Sequence, residues 1–170
     1  EVTQGLMEML PEERPVCGYI PTGTVNDFAR GLKIPMRVKL AAKVSAHDNI
    51  KPVDIGMMNG SCFTYVCAFG AFTAVSYETS QVAKNFLGRT AYLLEGMAQL
   101  GNIKAYHAVI QAGSETIEDD FIFGMVSNAK SIGGFSFFKN QKVLLNDGLF
   151  EGVFIRKPKT PSELQAVLNS

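Results

Sequence analysis

Apolar positions in the opening stretch EVTQGLMEML recur at helical spacing: Val2, Leu6, Met9 and Leu10 share one face. This predicts a helix over residues 1–10, ended by Pro11. The next apolar run, VCGYI at residues 16–20, is short and unbroken, the pattern of a buried strand. A turn, PTGTVN, then leads into a short helix over about residues 27–32, stopped by Pro35. Residues 36–46 predict a further helix with Val38, Ala41, Ala42 and Ser45 on one side. The beginning of the chain thus reads helix–strand–helix–helix, a piece of an α/β layer.

The texture changes after Lys51. PVDIGMMNGSCFTYVCAF holds two strand candidates joined by Asn59-Gly60, a strong hairpin signal. Residues 79–100 form one long helical segment, interrupted near Gly88. YHAVIQA, a turn at Gly113-Ser114 and ETIEDDFIFGMVSN follow at hairpin spacing. A glycine-rich loop, SIGGF, leads to QKVLLNDGLFEGVFIRK with a second Asp-Gly turn, and TPSELQAVLNS begins another helix, with Thr160 or Ser162 as its cap. The fold class is therefore α+β. Residues 1–50 are expected to belong to an α/β layer. Residues 51–157 are expected to form a mainly antiparallel β domain with one long helical insertion, and residues 158–170 the start of a truncated helix.

Composition narrows the function classes. Among 170 residues, 16 basic and 16 acidic side chains cancel, and no block of like charge is present. A nucleic-acid partner is not expected, because that binding is dominated by phosphate neutralisation. The cysteines, Cys17, Cys62 and Cys67, are odd in number and lack paired spacing, so we expect small buried hydrophobes in a reducing compartment rather than a disulfide scaffold. With no signal peptide or long apolar run, the chain reads as cytoplasmic. The helical patterns at both ends, the first without a cap, read as cuts from a longer protein.

The candidate chemistry begins at IPTGTVNDFARGL, residues 20–32. Thr24 and Asp27 fit a capping box, Asn26 is an alternative cap, and Gly31 fits a helix terminator. The same turn also fits an anion site. Backbone N–H groups at a helix start attract phosphate, Gly23 permits close approach, and Thr22 and Thr24 offer hydroxyls. Asp27 would repel a phosphate unless a divalent cation lies between them. Asp54 in PVDIG reads either as a polar strand end or as a site carboxylate. Asp147 in LLNDGLF reads either as a hairpin turn or as a ligand for a hard cation. His47 and His107 lack metal-ligand spacing, Ser131 lacks a nucleophile context, and Phe135, Phe137 and Phe138 fit core packing or an apolar lip for a lipid.

IPTGTVNDFARGLKIP, KPVDIG, CFTYVCAFGAFTAVSYET, FIFGMVSNAKSIGGF and LLNDGLFE, in this order, resemble the diacylglycerol kinase catalytic domain in its bacterial soluble lipid kinase branch. The resemblance implies a two-domain kinase, with residues 1–50 the remnant of an α/β nucleotide-binding domain and residues 51–157 a mainly antiparallel β-sandwich domain, and with its site in the cleft between the domains. It would use ATP and Mg²⁺ to phosphorylate a lipid hydroxyl, most typically that of diacylglycerol. By matching positions, Gly23 and Thr24 would contact ATP, and Asp27 and Asp54 would belong to an acidic network near nucleotide and metal. Asp147 would ligate a structural Mg²⁺ with the backbone carbonyls of Leu144 and Leu149. The family's Gly-Gly-Asp-Gly-Thr loop is expected before Glu1 and its general-base Glu beyond residue 170. No catalytic residue is therefore assigned within the chain, and the 170 residues alone are expected to be inactive. The implied partners are a lipid substrate and peripheral contact with a membrane, and a homodimer is compatible with the resemblance. Two other readings stay open: an NAD kinase-like nucleotide kinase, and a lipid-holding β-sandwich without chemistry.

Overall fold

The structure, a computed structural model, describes residues 1–47, 50–70, 104–134, 136, 138, 141–160, 162, 163, 166 and 167. Their chain order is α1 (Val2–Met7), a 3₁₀ turn (Pro11–Glu13), α2 (Asp27–Gly31), α3 (Val38–Ser45), β1 (Gly56–Met58), β2 (Ser61–Phe63), β3 (Val66–Gly70), β4 (Tyr106–Ala112), β5 (Glu115–Ser127) and β6 (Glu151–Arg156). The chain is α+β, with antiparallel pairing between β1 and β2 and between β4 and β5. The expected helix over residues 79–100 lies outside the described residues.

Two compact units form, and neither is a continuous segment. The first joins Glu1–Cys67 to Val126–Glu151; the second joins Ala68–Met125 to Gly152–Ser170. Domain boundaries at residues 50 and 157 stay a proposal beside this grouping.

In the first unit, Asn59 and Gly60 turn β1 into β2 with φ of 50° and 81°. Both values are left-handed, as a two-residue hairpin turn requires, and glycine adopts them without steric cost. Helix α1 packs on β2, and Gln4 Oε1 accepts the N–H of Cys62 at 2.8 Å, so a backbone donor of the short strand is satisfied by a side chain. Helix α2 ends in a Schellman closure, not at Gly31. Lys33 takes φ 60°, and the N–H of Ile34 reaches the carbonyl of Ala29 at 2.8 Å. Gly31 serves packing instead: a Cβ there would lie 3.2 Å from Leu145 Cδ1. Pro21, Ala29, Ala41, Ala129, Val143 and Leu145 are buried in this unit.

The expected strand at residues 16–20 does not form. Val16 is 66% exposed, and these residues are extended chain. A strand needs a neighbour for its backbone groups, and among the described residues none pairs with this segment. Cys17 is correspondingly exposed rather than buried, while Cys62 and Cys67 are half-buried.

In the second unit, β5 is the spine of a four-stranded sheet. β4 pairs with it in register from Tyr106↔Phe121 to Ala112↔Glu115, and β3 and β6 also pair with it. Phe121, Ile122 and Met125 are buried, and the Phe121 and Phe154 rings meet edge-on at 5.8 Å. Aromatic edge-to-face contact adds to the area they bury. Thr160 caps the last helix start through its hydroxyl, which accepts the N–H of Glu163 at 3.2 Å.

Gly124 is the tightest point of this core, because a Cβ there would run into the rings of Phe69 and Phe154. Gly124→Ala is expected to destabilise the protein by about 1–3 kcal/mol through overpacking, read as a lower denaturant midpoint.

Candidate active site

The turn before α2 is closed by its own asparagine. Asn26 sits at φ 56°, and its amide turns back onto Gly23: Gly23 N–H donates to Oδ1 at 2.9 Å, and Nδ2 donates to the Gly23 carbonyl at 2.6 Å. Gly23 is needed here, since a Cβ would lie 3.0 Å from that Oδ1. Its N–H is consequently committed, while Thr22 and Thr24 are exposed. No capping box forms. Asn26 is the N-cap without a side-chain cap bond, because its amide is spent on Gly23 and the Asp27 carboxylate is drawn elsewhere.

Asp27 is buried, only 7% exposed. A buried carboxylate must be neutralised or supplied with donors. Three donors are present. Ser131 Oγ donates to Oδ1 at 2.6 Å, Tyr65 Oη donates to Oδ2 at 2.8 Å, and Gly134 N–H donates to Oδ2 at 2.9 Å. Burial pushes the carboxyl up, but the bonds from Ser131, Gly134 and Tyr65, with the Gly133 N–H nearby, outweigh it and hold the group below its ordinary range. Tyr65 completes the ring by accepting the N–H of Gly133 at 3.0 Å. Burial, opposed by that bond and reinforced by Asp27, drives the phenol far above its usual value, so it stays a neutral donor. Gly133 and Gly134 carry φ of 61° and 83°, and their successive N–H groups reach the two partners of one hydrogen bond, Tyr65 Oη and Asp27 Oδ2.

The second acidic segment is organised by Asn128, fully buried at 0% exposure. Its Nδ2 donates to the carbonyls of Asp54 at 2.9 Å and Leu145 at 3.3 Å, and its N–H donates to the Tyr65 carbonyl at 2.9 Å. Asp54 N–H bonds the Leu145 carbonyl at 2.8 Å, and Asp54 Oδ2 accepts Gly148 N–H at 2.7 Å. Asp147 is exposed, and its Oδ1 accepts Leu149 N–H at 3.1 Å. Asp147-Gly148 is a turn, as expected, but not a β-hairpin. Residues 141–144 form no strand, because the carbonyl of Leu145 and the N–H of Gly148 are bonded to Asp54 rather than to a facing strand.

The predicted residues therefore fall into two clusters within one unit. Gly23, Thr24 and Asp27 form the first; Asp54, Leu144, Asp147 and Leu149 form the second. Sequence reasoning missed Tyr65, Ser131, Gly134 and Asn128. Consecutive glycines shortly after a serine were the available signal for the loop; Tyr65 and Asn128 lie inside segments that resemble the family, but no local pattern gave either a role. Glu151 was also missed. Its Oε2 is buried without a partner among the described residues, and burial and the Asp147 charge push its carboxyl up. Of the aromatic lip, Phe138 is half-buried, while Phe135 and Phe137 lie outside the described residues.

Residues 1–58 match the family model of the diacylglycerol kinase catalytic domain. The chain is 33% identical to a diacylglycerol kinase of Bacillus subtilis (strain 168) over 158 residues, 92% of this chain and 51% of that protein. It is 34% identical to a diacylglycerol kinase of Staphylococcus carnosus (strain TM300) over 161 residues, 92% of this chain and 50% of the other. A crystal structure of a diacylglycerol kinase from Bacillus anthracis str. Sterne superposes with a TM-score of 0.66 at 28% identity, covering 98% of this chain and 52% of that one. The chain spans about half the length of these relatives.

Asp27→Asn replaces an acceptor oxygen by a donor that faces donors, and is expected to cost about 2–3 kcal/mol in chemical denaturation. The lowered native pKa fixes the pH signature. The stabilisation is full above the unfolded value of 3.8 and is lost as pH falls through the native value. Denaturant midpoints between about pH 6 and about pH 3 should fall more steeply for the wild type than for Asp27→Asn.

Proposed function

We infer, for a chain that belongs to the diacylglycerol kinase catalytic domain family, that the protein containing it transfers the γ-phosphoryl group of ATP to a lipid hydroxyl, with diacylglycerol as substrate. The observation that carries this reading is the Gly23–Asp27 turn. It lies inside the matched segment, leaves Thr24 exposed, and is fastened from beneath by a buried carboxylate with three donors. Phosphoryl transfer asks the protein chiefly for positioning and for charge stabilisation, and a rigid, pre-bonded turn suits the first need.

In this mechanism Thr24 donates its hydroxyl to a phosphate oxygen, and Gly23 lets Asn26 close the turn that presents it. Asp27 acts as a fastener: three of its roughly four acceptor positions are occupied, leaving little capacity for a metal. Asp54 holds the loop of Asp147 by receiving Gly148 N–H. That loop suits Mg²⁺. Among the described residues the second oxygen of Asp147 has no hydrogen bond and Glu151 Oε2 is buried without a partner, its charged form disfavoured by burial and by the Asp147 charge. Asp147 and the carbonyls of Leu144 and Leu149 would hold the ion, a hard cation bound through oxygen. When bound, Mg²⁺ supplies positive charge that braces the loop and offsets neighbouring carboxylates. No residue of the chain is assigned the proton-accepting role. The lipid would be met by peripheral contact with a bilayer from the cytoplasm.

The test is transfer of labelled phosphate from ATP to diacylglycerol in mixed micelles by the full-length gene product with Mg²⁺. Transfer to NAD without transfer to lipid would support a nucleotide kinase instead, and binding of lipid without either would support a non-enzymatic module. Thr24→Ala is expected to lower kcat/KM for ATP by about tenfold, one hydrogen bond to a charged group. Asp147→Asn should abolish the rise in melting temperature that Mg²⁺ gives the wild type. An unchanged rise would remove Asp147 from the metal site.

A further inference from the structure

We propose that Tyr65 is a positioning residue for the nucleotide turn and joins that turn to the loop of Asp147. The proposal rests on the kinase reading above and adds to it a residue to which that reading assigned no role.

Tyr65 is held at both ends. Its phenol donates to Asp27 Oδ2 at 2.8 Å and accepts Gly133 N–H at 3.0 Å. Its carbonyl accepts Asn128 N–H at 2.9 Å. Through the phenol it touches the carboxylate that opens α2. Through its backbone it touches the residue whose amide binds the carbonyls of Asp54 and Leu145. The two acidic clusters, from distant parts of the sequence, thus meet through one side chain and one asparagine. Ser131 and Gly134 complete the hold on Asp27. Gly134 also lies beneath the turn itself, where a Cβ would stand 3.5 Å from Val25 Cγ1. Loss of the phenolic oxygen leaves Gly133 N–H without its acceptor and Asp27 with two donors, so the 131–134 loop and the turn lose their fixed spacing. The Asn128 link, made by backbone, survives.

Tyr65→Phe separates these roles because the ring remains. In the full-length gene product, titration calorimetry with Mg²⁺-ATP should show about tenfold weaker binding, the weight of one hydrogen bond to a charged acceptor. KM for ATP should rise in step, with kcat and KM for diacylglycerol changing less. The Mg²⁺-dependent rise in melting temperature should persist. Ser131→Ala should weaken ATP binding in the same direction and Ser131→Thr should restore it, which keeps the test open should Tyr65→Phe fold poorly. ATP affinity unchanged in both Tyr65→Phe and Ser131→Ala, with only the melting temperature lowered, would reduce the network to a structural one and overturn the proposal while leaving the kinase reading intact. A wild type that neither binds Mg²⁺-ATP nor phosphorylates lipid would overturn both.

Discussion

A carboxylate taken out of water dictates much of the first unit. Asp27 loses its hydration where α2 begins, and an unpaired charge there would cost several kcal/mol. The fold answers with neutral donors rather than a cation: a hydroxyl, a phenol and a backbone N–H. Each comes from a segment far along the chain, and each must be brought to within hydrogen-bonding distance at once. Satisfying one charge therefore fixes the positions of residues 65, 131 and 134 relative to the turn at residues 23–26. The consecutive left-handed backbone of Gly133 and Gly134 is part of the same requirement, since other residues adopt that conformation at a cost.

Asn128 plays the complementary part. It is the buried donor that satisfies two carbonyls, as Asp27 is the buried acceptor that satisfies three donors. Between them the unit acquires a continuous polar frame in which backbone and side-chain groups alternate. Such networks are stabilising only when nearly complete. The atoms left over, Ser127 Oγ, Asn128 Oδ1 and Glu151 Oε2, are buried and lack partners among the described residues.

The local patterns that proved legible were those governed by short-range physics. The hairpin at Asn59-Gly60, the helices at residues 2–7, 27–31 and 38–45, and the Thr160 cap follow from turn geometry, apolar periodicity and capping. Where several local solutions competed, the sequence alone misled. Thr24 and Asp27 have the spacing of a capping box, but Asn26 had a nearer partner in Gly23 and Asp27 had stronger donors at a distance. Residues 16–20 are apolar enough for a strand, yet apolar character does not supply the neighbouring backbone a strand needs. Asp147-Gly148 has hairpin chemistry, but the backbone groups that a facing strand would have taken belong to Asp54.

The sequence by itself determined the short helices, the Asn59-Gly60 hairpin and the family resemblance, and it singled out acidic residues as candidates. Those properties are written in residue identity and in spacings of a few positions. Tertiary structure decided which role each acid takes. Asp27 became a fastened anchor and not an open ligand because Tyr65 and Ser131, 38 and 104 positions away, converge on it. Asp54 became the clasp of the Asp147 loop because Gly148, 94 positions on, donates to it. A carboxylate's chemistry is set by the donors and charges around it, and those neighbours exist only after the chain has folded.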